Sequence, residues 1–207
     1  MKELVRVAKE AFEKLGEFIE TFKEEGSENV QLSELAAGEK FTTDIGDFIV
    51  IRQCDGMSIV ITEDLYRGYV RFSDDTLNYS ESSLKKLCDG EIYEEFVKVF
   101  GAENIVEHSV KDFKSLDGQQ LADVEGCKVR PLTFEEARSF NALLVNEELD
   151  DCYWTITPWS SEERGWKYSI AVVSPSGDFY RSYYDYRSGV RPVCILKSHI
   201  FVSRKVA

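Results

Sequence analysis

Apolar side chains near the start of the chain recur at Leu4, Ala8, Ala11, Leu15, Phe18 and Phe22, in steps of 4, 3, 4, 3 and 4. That spacing predicts a helix over residues 3–24 with a seam of about three heptads. Val5, Val7, Phe12 and Ile19 widen the stripe. A short coiled coil and an amphipathic helix packed on its own domain fit it equally well. EEGSENV then breaks the pattern at Gly26, so residues 1–25 read as a helix, 26–30 as a linker and 31–207 as one domain.

From Val30 the period shortens. GDFIVIRQ and MSIVITE are β-branched runs joined through Cys54-Asp55-Gly56, a strong hairpin signal. A short strand is expected around Tyr69–Phe72. ESSLKKLCDGEIYEEFVKVFG predicts one broken helix or two short ones, capped at Ser80 or Ser82, broken at Gly90 and stopped at Gly101. Thr133 with Glu136 three residues on is a capping box, and Pro131 bars a helix from running through it. The last third alternates: CYWTITPW, KYSIAVVS, GDFYRSYY and GVRPVCILK read as strands, with SPSG as a tight hairpin loop. The last of them reads as a buried closing strand, with Pro192 implying an edge or a bulge.

Composition narrows the function. No apolar run approaches the ~20 residues that cross a bilayer, and the charged first residues do not resemble a signal peptide. A cytoplasmic protein is expected. The five cysteines (Cys54, Cys88, Cys127, Cys152, Cys194) stand singly, which argues for reduced, mostly buried thiols over a disulfide framework or zinc knuckle. Two histidines, His108 and His199, are too few for a metal site built on imidazoles. His108 is expected to be exposed and His199 to end a strand.

The net charge is -13, and residues 31–150 supply the deficit with twelve basic and twenty-five acidic side chains. Residues 151–195 balance at five and five. An acidic chain repels phosphate backbones, which argues against direct nucleic-acid binding.

The neutral stretch is also the aromatic one. All three tryptophans and six of the ten tyrosines fall between Tyr153 and Tyr186. Such rings make core or binding surface. Period two puts Arg181 and Tyr183 on one face of GDFYRSYY, and Tyr180 and Tyr184 on the other, so half of them look away from any single core. Tyr183, Tyr184, Tyr186 and Arg187, at a turn, are surface candidates, and Trp154 and Trp166 are expected to be buried. Arg191, in an apolar strand, needs a partner: backbone carbonyls or a carboxylate such as Asp178 or Asp185. No GxSxG, Walker or GxGxxG motif occurs. A pocket joining Arg181, Asp185 and Cys194 would be needed to revive an enzymatic reading.

CYWTITPWSS, GWKYSIAVVSPSGDFY and YYDYRSGVRPVCILKSHIFVS, preceded by LSELAAGEKF, IGDFIVI and VRPLTFEEA, resemble an uncharacterised domain family of phages and mobile elements in gut Firmicutes. The resemblance covers residues 31–203. The order of a TFEEA helix, Trp-rich strands and a Gly-x-Arg strand also resembles the C-type-lectin-like fold of formylglycine-generating enzymes and retroelement variable proteins. What the resemblance implies is an α+β, C-type-lectin-like domain behind an N-terminal helix, working in a bacterial cytoplasm or in a virion. By position it implies a ligand surface of Tyr180, Arg181, Tyr183, Tyr184, Tyr186, Arg187 and Trp159. Gly189, Arg191, Trp154 and Trp166 would be structural. Cys152 and Cys194 do not match the enzymes' cysteine pair, and the histidines of the iron-dependent relatives are absent, so no catalytic residue, metal or cofactor is expected.

The first expectation is therefore a non-catalytic module that binds a protein or glycan, oligomerised through Leu4, Leu15, Phe18 and Phe22 for avidity. The alternative is a phage-encoded inhibitor whose acidic surface occupies the basic channel of a host defence nuclease.

Overall fold

The computed structural model describes residues 28–205; the heptad segment 3–24 lies outside them. Alternation of apolar and polar positions builds fourteen strands among the described residues. They are β1 (Glu28–Gln31), β2 (Lys40–Thr43), β3 (Gly46–Cys54), β4 (Met57–Thr62), β5 (Arg67–Arg71), β6 (His108–Val110) and β7 (Val124–Cys127). β8 (Val129–Arg130), β9 (Tyr153–Pro158), β10 (Ser169–Val173), β11 (Phe179–Tyr183), β12 (Arg187–Val190), β13 (Val193–Lys197) and β14 (Phe201–Arg204) complete them. Helix α1 (Ser83–Leu87) passes through a π-helical turn at Cys88–Ile92, where Gly90 lies, into α2 (Tyr93–Phe100). α3 (Phe134–Ser139) and α4 (Asn141–Leu144) follow β8. The class is α+β, with mostly antiparallel sheets and few helices.

A seven-stranded sheet runs β1-β14-β2-β3-β4-β13-β8, a five-stranded sheet runs β11-β10-β9-β12-β5, and β6 pairs with β7. The β3–β4 turn is the expected one: Asp55 and Gly56 take φ 45° and 77°, the left-handed pair that a two-residue hairpin turn requires. Ser82 caps α1 by accepting from Lys85 N, and Gly101 ends α2 at φ 78°.

Two apolar cores result, one on each side of β3. Phe48 and Val50 point to α2, where Phe48 meets Phe96 and Phe100 edge-on, and this core continues through Trp154, Ile156, Ile170 and Val172 of the five-stranded sheet. Ile49 and Ile51 point the other way, to Ala137 of α3, Leu144 of α4, Tyr153 and Val173. Both faces of β3 are thus buried, which explains its near-continuous apolar run.

The stretch GVRPVCILK is not one closing strand. It divides at Arg191-Pro192: β12 lies between β9 and β5 in one sheet, and β13 between β4 and β8 in the other. Pro192 marks neither an edge nor a bulge but the crossing between sheets, where its missing N–H breaks no ladder bond. β14, beyond it, pairs with β1 and β2.

Candidate functional site

The outer end of β10–β11 carries the aromatic surface. β10 pairs with β11 in the register Ser169↔Tyr183, Ala171↔Arg181 and Val173↔Phe179, which sets Arg181 and Tyr183 on one face. Phe179, on the same face, is covered by Phe134 of α3 at 4.8 Å between ring centroids. The cover stops there, and Arg181 and Tyr183 stand exposed. Pro158 lies opposite Ile170, and Trp159 N–H donates to Ser169 O, which brings half-buried Trp159 into the row of Ser169 and Tyr183.

Before β10, residues 162–168 form a 3-10 turn and loop rather than a strand, and this decides Trp166. Expected to be buried, Trp166 is 41% exposed and holds the Arg181 guanidinium over its ring at 4.5 Å. Tyr186, 59% exposed, meets the Tyr183 ring at 5.2 Å with an interplanar angle of 81°. Two shallow depressions adjoin. One, of 170 Å³, is lined by Ser169, Arg181, Ser182, Tyr183 and Tyr186. The other, of 290 Å³, is lined by Trp166, Lys167, Tyr168, Ser169, Arg181 and Tyr183.

The expected ligand residues therefore divide. Arg181, Tyr183 and Tyr186 come together with Trp166, while Trp159 shares the row of Ser169 but lines neither depression. Tyr180 and Tyr184 lie on the opposite face, where half-buried Tyr184 packs on the α1–α2 core and Tyr168 at 5.8 Å. Arg187 lies opposite Arg71 at the start of β12 and lines neither depression. Lys167, Tyr168 and Ser182 were missing from the expectation. Their signal in the sequence is faint: Lys167 stands between two rings, Trp166 and Tyr168, that period two alone assigns to the interior.

Of the residues expected to be structural, Trp154, Arg191 and Gly189 are buried and Trp166 is not. Trp154 is fully buried, with its indole N–H donating to Val70 O at 2.9 Å. Arg191, also fully buried, donates to Thr62 O at 2.8 Å and Leu144 O at 2.6 Å and lies over the Tyr153 ring. Carbonyls rather than Asp178 or Asp185 are its partners. Gly189 packs on Leu65, whose side chain would lie 2.7 Å from an added Cβ.

A polar network lies beneath β8. Arg130 forms a two-pronged ion pair with Glu136 at 2.6 and 2.7 Å, and its Nε–H donates to His108 Nε2 at 3.0 Å. Burial alone would raise the Glu136 carboxyl, but Arg130 and the Thr133 cap hold it below its usual range. His108 is not exposed as expected: it is half-buried between β7 and Arg130, and burial, then the Arg130 charge, push it down to about 4. Because Nε2 accepts, the proton of the neutral ring sits on Nδ1, facing Val106 O at 3.3 Å. His199 is exposed in the β13–β14 turn.

Among the described residues, neither histidine lies within hydrogen-bond reach of a serine or cysteine side chain. Burial pushes the Cys88 thiol up to about 12 and raises Cys194, Cys127 and Cys152, so these thiols stay protonated at neutral pH. Cys194 is buried in β13, in the other sheet from Arg181 and Asp185, and the three form no pocket among the described residues. Nor do three or more His, Cys, Asp or Glu side chains converge on a metal position among the described residues. No helix there is long and apolar enough to cross a membrane. Comparison with protein-family models, curated proteins and solved structures returns no match.

Proposed function

We propose that the protein is a non-catalytic recognition module that binds a protein or glycan through the face built by Trp166, Arg181, Tyr183 and Tyr186. The observation that carries this reading is the exposed ring cluster: Arg181 stacked on Trp166 and Tyr183 set edge-on to Tyr186. Rings held by one another expose large area while losing little further freedom on binding, which is how recognition surfaces gain affinity. A C-type-lectin-like fold is the finer assignment. It is supported by the order of α3, the aromatic strand β9 and the Gly-Val-Arg strand, and by the pairing of β1 with β14. The family resemblance of residues 31–203 is the ground for assigning the module to a phage or mobile element, acting in the host cytoplasm or on the virion. The heptad seam would make it multivalent.

A screen of the full chain against protein and glycan arrays tests this. The expected result is a ligand whose affinity falls at least about tenfold in the Tyr183→Ala, Tyr186→Ala double variant, as for a central aromatic pair. No ligand, or one indifferent to both changes, sinks the proposal. A basic ligand that ignores them and dissociates steeply with salt favours the acidic inhibitor instead.

A further inference from the structure

The aromatic face differs from the rest of the surface in charge. Across a chain of net charge -13, other depressions among the described residues carry carboxylates: Asp44 in one, Glu162 in a second, and Asp112 and Glu135 beside Lys111 and Lys114 in a third. The two at the aromatic face carry none, and hold Arg181 and Lys167. Neither cation has an ion-pair partner among the described residues; Arg181 is engaged only by the Trp166 ring. A guanidinium parked on an indole is oriented without being neutralised, and its in-plane N–H groups stay available to a two-oxygen anion.

From this, and resting on the recognition reading above, we infer that the face binds an oligosaccharide bearing a carboxylate, a uronic- or sialic-acid sugar, with Arg181 as the carboxylate clamp. The two depressions meet at a shared wall of Ser169, Arg181 and Tyr183, which gives two adjacent, shallow subsites. Trp166 and Tyr183 supply ring surface for the apolar faces of sugars. The Tyr183 and Tyr186 phenols supply donors and acceptors for ring hydroxyls. Lys167 adds a second positive charge on the side of Trp166. Charge also selects against a polyanion. Two local cations attract a single carboxylate within a Debye length of about 8 Å, whereas a nucleic acid reaching past them meets the acidic remainder of the molecule.

The test is a panel of oligosaccharides with terminal uronate, terminal sialate or matched neutral sugars, titrated into the full chain by calorimetry and tryptophan fluorescence. A peptide-display library and an oligouridine octamer run alongside. The expected result is binding of acidic but not matched neutral members. Arg181→Gln should weaken it about tenfold, Lys167→Gln less, and Arg181→Lys should restore only part, because a lysine keeps the charge but not the two-pronged geometry. Equal binding of neutral sugars, or no effect of Arg181→Gln, overturns the acidic-sugar assignment and leaves the recognition reading standing. A peptide or RNA ligand sensitive to Tyr183→Ala, with no sugar bound, does the same. If nothing in the panel, the library or the octamer binds, both fall.

Discussion

Arg130 shows how one side chain can settle the chemistry of several others. It satisfies Glu136, occupies the acceptor nitrogen of His108 and so disfavours a second proton on that ring. The consequence is a pH dependence of known sign. A histidine held near 4 in the folded state and near 6.5 when unfolded binds its proton first in the unfolded chain, so stability falls as the pH drops from 6.5 toward 4. At pH 5 the loss from this ring is on the order of 2 kcal/mol. Glu136, whose carboxyl is depressed, adds a loss of the same sign at lower pH. Urea titrations at pH 7, 6 and 5 should show the decline, and His108→Gln, which keeps an acceptor but cannot titrate there, should flatten it. An unchanged slope in the variant would show that another group carries the effect. None of this was visible in the sequence, where His108 sits among acidic residues, because its partner is 22 positions away.

At the scale of elements, what local rules govern was legible. The Asp55-Gly56 hairpin, the Ser82 and Thr133 caps and the stop at Gly101 all depend on residues within a few positions of each other, whereas the break expected at Gly90 is a π-helical turn through which the helix continues. What depends on the choice of partner was not. GVRPVCILK is apolar on both faces, and such a run says that it is buried without saying in which sheet. Trp166 was misjudged for a related reason: alternation sorts faces only within a strand, and Trp166 lies in the loop before β10. The aromatic face was half legible, since the period separated Arg181 and Tyr183 from Tyr180 and Tyr184 but the stop of α3 cover beyond Phe179 is tertiary. β12 offers a direct check. It approaches β9 at Gly189↔Tyr153, with Leu65 filling the space over the glycine. Gly189→Ala should cost about 1–3 kcal/mol by overpacking. Leu65→Ala in the same chain should recover part of it, and the pair should be non-additive in a double-mutant cycle. Additive losses would mean that the glycine is needed for something other than space.

For the whole molecule, the shared walls of the two cores predict a single unfolding event. β3 gives Phe48 and Val50 to one core and Ile49 and Ile51 to the other, and β9 divides Trp154 and Tyr153 in the same way. Neither core can lose packing without moving a strand of its neighbour. Urea transitions followed by tryptophan fluorescence and by far-ultraviolet circular dichroism should therefore coincide; two separated midpoints would show that the cores melt independently. The crossing at Arg191-Pro192 has a further consequence, for biosynthesis. Everything C-terminal to it enters a sheet between strands made earlier: β13 between β4 and β8, β14 between β1 and β2. On a ribosome adding about 5–20 residues per second, β1 waits roughly 9–35 s for β14, its only partner among the described residues, and β8 roughly 3–13 s for β13. A nascent chain stopped before residue 193 leaves β1 and β8 without the partners they have among the described residues, so the seven-stranded sheet closes only once β13 and β14 have emerged, and dependence on chaperones should be greatest just before that point.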